Sequence, residues 1–190
     1  MSGVSFSKVL EVIQNRKSIR SYSSREIEQE KLQKILEAGR LAPSWQNRQC
    51  WHFVVIQNRD TIKQLALKSG VLSKTNFFMK DAPLVIVACA DPQKSGYLNG
   101  QYYYLVDTAI AFQHMMLVAW ELGIGSCWMG AFNEERTKEI LNVPENIRVV
   151  ALSPFGYPAQ KEGVYSKVVK AFARSKHRKP IEEIVHWERW

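Results

Sequence analysis

PLVIVACA, residues 83 to 90, is an unbroken apolar run with no polar position to turn toward water. Such a run suits a strand covered on both faces, so the chain must fold around a buried sheet. Other segments can supply its neighbours. WHFVVIQN, Trp51 to Asn58, is rich in aromatic and β-branched residues. IRVVALSPFGYPA reads as a strand ending in a proline and glycine turn, and a further strand is expected around Gly125 to Phe132.

Helices alternate with these strands. A helix of roughly six turns fits between Gly100 and Gly123, apolar nearly all round through Ala109, Ile110, Phe112, Met116, Ala119 and Trp120. Such a helix is a domain's centre or a subunit interface. Asp107, Gln113 and His114 would be costly in lipid, so it reads as a buried helix of a soluble protein. Phe6, Val9, Leu10 and Ile13 share one face of a first helix, with Ser5 as N-cap and an end near Asn15. A second helix is expected from Glu28 to Leu41, with Leu32, Ile35 and Leu36 inward and Pro43 stopping it. Asp60 is expected to cap a short helix closing near Gly70, and Asn133 to cap another.

The 190 residues, 46% hydrophobic and 11% aromatic, suffice for a single domain with a sizeable core, and no internal repeat divides them. Cys50, Cys89 and Cys127 are odd in number and lack CxxC spacing, which fits a reducing, cytoplasmic setting. The N-terminus carries Lys8 and Glu11 within its helical pattern, so it does not read as a signal peptide.

Charge decides what remains. The formal net charge of +8 favours anionic partners without separating nucleic acid, membrane headgroups and a phosphorylated cofactor. The cations concentrate in two places: Arg16, Lys17 and Arg20, and then Arg174, Lys176, His177, Arg178 and Lys179. They are solvated surface charge, or they converge on one phosphate through charge-assisted hydrogen bonds worth about 1.5–3 kcal/mol each. After Gly163 the sequence becomes polar and basic, then ends in IEEIVHWERW. That tail docks on another subunit or forms a short helix on its own domain.

Familiar catalytic patterns are missing. GIGSCWMG has the GxG spacing of a dinucleotide turn, but its third glycine is misplaced and it follows a helix; Gly123 reads as a helix stop. The four histidines are scattered without zinc spacing, and neither GxSxG nor a Walker A motif occurs. No metal site and no nucleophilic side chain is expected.

RKSIRSY, LAPSWQNRQCWHFVV, APLVIVACAD, the long helix leading to GIGSCWMGAF, and SKHRKPIEEIV together resemble the nitroreductase family of FMN-dependent oxidoreductases. The resemblance rests on their order, spacing and total length over most of the chain. It implies an α+β fold: a mixed, mainly antiparallel central sheet flanked by helices. It also implies one domain over residues 1–190 in an intertwined homodimer, residues 163–190 being an extension exchanged onto the partner, with FMN at the subunit interface.

By the same resemblance, Arg16, Lys17 and Ser18 hold the FMN phosphate and ribityl chain, and Lys176 and Arg178 close on the phosphate. Arg20 sits by the flavin pyrimidine and favours the negatively charged reduced ring. Pro43, Ser44, Trp45 and Asn47 form a loop laid against the flavin by the partner subunit. Asn76 offers an amide near the ring's polar edge, and Cys127, Trp128, Met129 and Gly130 run past the isoalloxazine. The chain departs from one branch of the family, which has a carboxylate where Met129 stands. It also lacks a long insertion before the central helix, so the substrate pocket is expected to be more open. Tyr97, Tyr102 and Tyr103 are candidates to line it, with ordinary packing as the alternative for each.

The activity implied is hydride transfer from NADH or NADPH through flavin N5 to a small acceptor such as a nitroaromatic or quinone, with no nucleic acid or membrane partner. The rival readings are a specialised family member (a reductive dehalogenase or flavin-consuming enzyme), a redox-silent flavin binder and a basic nucleic-acid-binding protein.

Overall fold

The structure is a computed structural model that describes residues 7–70, 76–160 and 178–190. Its centre is a four-stranded sheet of β1 (Trp51–Ile56), β2 (Leu84–Ala90), β6 (Arg148–Gly156) and β5 (Gly125–Ser126), in that spatial order. All three strand pairs are antiparallel, and a parallel bridge joins Ser18 to Ser126. The mixed, mainly antiparallel sheet expected from the resemblance is therefore present.

Every residue of β2 is buried, as its composition requires. Because side chains alternate along a strand, Leu84, Ile86 and Ala88 enter one core and Val85, Val87 and Cys89 the other. The first core is closed by α2 (Gln29–Arg40) and α4 (Tyr103–Glu121), through Leu32, Ile35, Phe112, Met115, Met116 and Ala119. The second is closed from α3 (Arg59–Lys68) by Ile62, Leu65 and Ala66, with Ile140 and Leu141 of α5 (Glu134–Leu141) packed against it. A sheet with helices on both faces follows directly from the unbroken apolar run.

Local signals set the element ends. Gly123 has φ 79°, its N–H reaches Trp120 O at 3.0 Å, and Ile124 N–H reaches Ala119 O at 2.8 Å. This is a Schellman stop with glycine in the left-handed position. The long helix holds 19 residues, about five turns. Asn133 caps α5 as expected, accepting from Arg136 N–H. The cap of α3 is Asn58, not Asp60: Asn58 Oδ1 accepts from Asp60 and Thr61 N–H at 3.0 Å each, and Asp60 lies inside the first turn.

The expected strand from Gly125 to Phe132 is interrupted. The Cys127 N–H donates to Ser153 Oγ at 3.1 Å instead of to a backbone carbonyl, so the ladder breaks and resumes as a single bridge between Met129 and Leu152. A two-stranded hairpin, β3 (Tyr97–Leu98) with β4 (Gln101–Tyr102), precedes α4. It turns on Asn99 and Gly100, with φ 52° and 77°.

The first helix, α1 (Lys8–Asn15), begins after Ser7; the expected cap Ser5 and Phe6 lie outside the described residues. Its apolar face is not covered: Val9 is 64% exposed, and Leu10 and Ile13 are exposed as well. Leu105 and Val106 of α4 are likewise exposed. An open apolar groove of about 450 Å³ runs between α1, α2 and α4, lined by Val9, Val12, Ala38, Leu41, Leu117 and Val118 among others.

Candidate functional site

Where α1 ends, Arg16 takes an extended conformation (φ −59°, ψ 132°), and the chain runs alongside β5. Ser18 bridges Ser126, and Ile19 N–H donates to Ser126 O at 2.9 Å. Ile19 is buried with Tyr22 and Ala82, against Phe78 and Trp120. In an extended segment Arg16, Ser18 and Arg20 share the opposite face. All three act on Cys127: burial pushes its thiol up, while the Arg20 charge, a Ser18 hydrogen bond and the Arg16 charge oppose that rise. Lys17 falls on the other parity and is exposed.

Gly125 makes this approach possible. A Cβ there would overlap the Ile19 side chain, so the residue beside the bridge must lack one. Residues 21–23 continue the bracing, since Ala159 N–H reaches Ser21 O at 3.0 Å and Ser23 N–H reaches Tyr157 O at 2.9 Å. The buried Tyr22 hydroxyl donates to Ile19 O. Burial pushes that phenol well above its ordinary range.

The facing segment presents a mixed surface. Cys127 and Met129 are buried, Trp128 is 37% exposed, and its ring meets Phe112 edge-on at 5.3 Å. At Gly130 a Cβ would meet only the Trp128 indole nitrogen, at 3.9 Å. No protein atom demands glycine there, and the backbone is open to close approach. Asn76 is buried, and its amide donates to Ala131 O at 3.1 Å, so it braces this segment from behind.

The Pro43 to Gln49 loop is unusual in its backbone. Gln46, Asn47 and Gln49 have φ of 48°, 57° and 50°, a region that costs a non-glycine residue roughly 1–2 kcal/mol. Ser44 Oγ accepts from Gln49 N–H at 2.9 Å, and Gln49 Nε2 donates to Asn47 O at 3.0 Å. Pro43 and Asn47 are exposed. The Trp45 ring lies 4.1 Å from Tyr103 between centroids and packs against Gly96. The Trp45 backbone N–H donates to Asp107 Oδ1 at 2.9 Å. Asp107 took no role in the sequence-based reading of the site, although a carboxyl inside an apolar helix was the signal that could have found it.

The second basic cluster is only partly described. Lys176 lies outside the described residues, and Arg178 opens an exposed final stretch. Residues Ile181–Glu183 form one 3-10 turn, while Trp187 and Trp190 stand 87% and 103% exposed. Within the described part of the tail, residues 178–190, every residue is exposed, and residues 163–177 lie outside the described residues. Thus this chain brings Arg16, Ser18 and Arg20 to Ser126 and Cys127, and leaves Arg178 on a surface segment.

The three cysteines are free and buried, with burial pushing Cys50 up to about 11 and Cys89 up to about 12. Among the described residues there is no group of His, Cys, Asp and Glu arranged to hold a metal, and no helix long and apolar enough to cross a membrane.

Comparisons with known proteins agree with this fold. The model of the nitroreductase family matches residues 13–72 and 71–157. An Archaeoglobus fulgidus protein, provisionally assigned as an NADH dehydrogenase/NAD(P)H nitroreductase, is 40% identical over 162 residues, covering 82% of this chain and 88% of its own. The crystal structure of a nitroreductase family protein from Clostridium novyi NT superposes with a TM-score of 0.75 at 39% identity, over 81% of this chain and 87% of the other. An FMN-dependent nitroreductase from Clostridium difficile R20291 gives 0.73 at 29% identity, over 95% and 99%. On the match over most of its length, the chain belongs to the nitroreductase family.

Proposed function

We propose that the protein is an FMN-dependent oxidoreductase that takes electrons from NADH or NADPH and delivers them to a small acceptor such as a nitroaromatic or quinone. The observation that carries this reading is the Ser18–Ser126 bridge, which fastens the Arg16 to Arg20 segment beside β5, next to Cys127 and the part-exposed Trp128. The residues fit a phosphorylated planar cofactor. The Arg16 guanidinium and the Ser18 hydroxyl offer an anion anchor, Arg20 a second cation further along, and Gly130 an approachable backbone.

FMN, when bound, would supply the redox chemistry, accepting hydride at N5 and passing electrons on. The chain's own residues bind and orient it. Arg16 and Ser18, with Lys176 and Arg178, hold the phosphate and ribityl chain, Lys17 adds its charge from the other face of the segment, and Arg20 sets a positive charge beside the pyrimidine edge. The Cys127 to Gly130 segment, with Asn76 bonded to it, runs past the ring, and the Pro43, Ser44, Trp45 and Asn47 loop is laid against the flavin by the second chain. The exposed apolar faces of α1, α4 and the tail support a homodimer in which a second chain completes each site. A basic, cytoplasmic, single-domain enzyme is consistent with the composition.

Purified protein is expected to be yellow, or to become so with added FMN, and to bleach without oxygen when NADH or NADPH is added. Arg16→Ala is expected to weaken FMN binding at least about tenfold, as loss of one charge-assisted bond implies. A protein that takes up no FMN, or a yellow one that neither nucleotide bleaches, overturns the proposal.

A further inference from the structure

Asp107 is 2% exposed, the most buried acid among the described residues. It lies near the start of α4 and gathers donors from three other segments. Trp45 N–H reaches Oδ1 at 2.9 Å; Ser95 O–H and Cys50 S–H reach Oδ2 at 3.0 and 3.6 Å. Burial and the neighbouring Asp107 charge push the Cys50 thiol up to about 11, so it keeps the proton it donates. A carboxyl has about four lone-pair positions, enough for all three donors.

These segments differ in how well they hold themselves. Cys50 leads into β1 and is tied to β2, since Asp91 N–H reaches Cys50 O at 2.9 Å. Ser95 closes a short 3-10 turn whose N-cap is Asp91. The Ser44 to Gln49 loop also holds a 3-10 turn, Trp45–Asn47, with Asn47 N–H on Ser44 O at 3.0 Å and Arg48 N–H on Trp45 O at 2.9 Å, but three of its residues are left-handed and its side-chain hydrogen bonds are exposed. It is attached to the domain through the Trp45 backbone N–H on the buried Asp107 and the half-buried Trp45 ring against Tyr103 and Gly96.

We infer that Asp107 is the positioning residue of the site, holding the Ser44 to Gln49 loop in the conformation that lies against the flavin; this rests on the FMN reading above. A backbone in sparsely populated conformations persists where its surroundings over-determine it. Here the buried carboxyl does so from one end of the loop. Leucine at the same place would fill the volume and leave Trp45 N–H and Ser95 O–H without their acceptor. Asparagine would keep one oxygen for three donors.

The test compares wild type, Asp107→Asn and Asp107→Leu as apoproteins. Hydrogen exchange is measured at Trp45 and across residues 44–49, with β2 as internal control, and FMN affinity by flavin fluorescence. Asp107→Leu is expected to speed exchange in the loop, but not in β2, at least about tenfold, and to raise the FMN Kd at least about tenfold. Asp107→Asn is expected to shift both by about three- to tenfold, as the loss of one of two acceptor oxygens implies. A purely structural acid predicts a lower Tm with loop exchange and FMN Kd both within about twofold of wild type, and that result overturns the inference. If Asp107→Leu does not fold, Asp107→Asn decides on the same two readouts. Wild type that takes up no FMN overturns the flavin reading and the purpose assigned to the loop; a loop exchange unchanged by either substitution overturns the anchor itself.

Discussion

Residues 16–20 and 178–190 both bring cations to the proposed phosphate site, yet the fold treats them in opposite ways. The first is fastened: Ser18 bridges Ser126, Ile19 is buried, and Gly125 gives up its side chain to admit it. The second is exposed along its described length and ends in two solvent-facing tryptophans. The contrast separates what one chain can specify from what it cannot. Tight backbone pairing and a missing Cβ preset the geometry of Arg16, Ser18 and Arg20. Ile181, Ile184, Trp187 and Trp190 are too apolar to favour water, yet each is mostly exposed among the described residues. A second chain is the cover we propose.

The largest expected effect breaks the fastened half. Gly125→Val would drive a branched side chain into Ile19 and should cost about 1–3 kcal/mol in urea denaturation, with loss of FMN retention. Gly130→Ala sharpens the comparison, because a Cβ there meets only the Trp128 indole nitrogen at 3.9 Å. Its stability should stay within about 0.5 kcal/mol of wild type. Equal losses in the two variants would show that Gly125 is not what admits the 16–20 segment.

A smaller effect probes the outer end of the bracing. The Tyr157 hydroxyl donates to Glu28, and with the Arg25 guanidinium it holds that carboxyl down from an ordinary 4.5 to about 2. A depressed carboxyl contributes its stability above the unfolded pKa and loses it as pH falls. The contribution is therefore present above about pH 4.5 and fades toward pH 2. Acid denaturation followed by circular dichroism should be less steep in that window for Glu28→Gln than for wild type. Superimposable curves would show that this exposed contact braces nothing.

The buried sheet was legible because PLVIVACA leaves no other option, and Gly123 and Asn133 ended and began helices as glycine and asparagine do. Other features depended on choices that spacing does not resolve. Asn58 and Asp60 are both good caps, and a shift of two residues decides between them. Cys127 looks like a strand residue until Ser153 takes its N–H. Asn99 and Gly100 carry a hairpin signal, but two strand residues on either side are too few to show an alternating period. The stripe of Val9, Leu10 and Ile13 fixed a helix but not the body that covers it, since a core and a partner select the same pattern. Within the site, Arg16, Ser18 and Arg20 were recognised by resemblance, whereas the bridge that unites them and the acid behind the Trp45 loop emerged only from the fold.

The central claim is that one chain supplies a preset half of the flavin site and a second chain the rest. Sedimentation of the FMN-loaded protein across a dilution series, recorded at protein and flavin wavelengths, tests it directly. The account predicts flavin sedimenting with a dimer and appearing free in step with dissociation into monomers; a monomer that retains FMN as tightly as the dimer would contradict it.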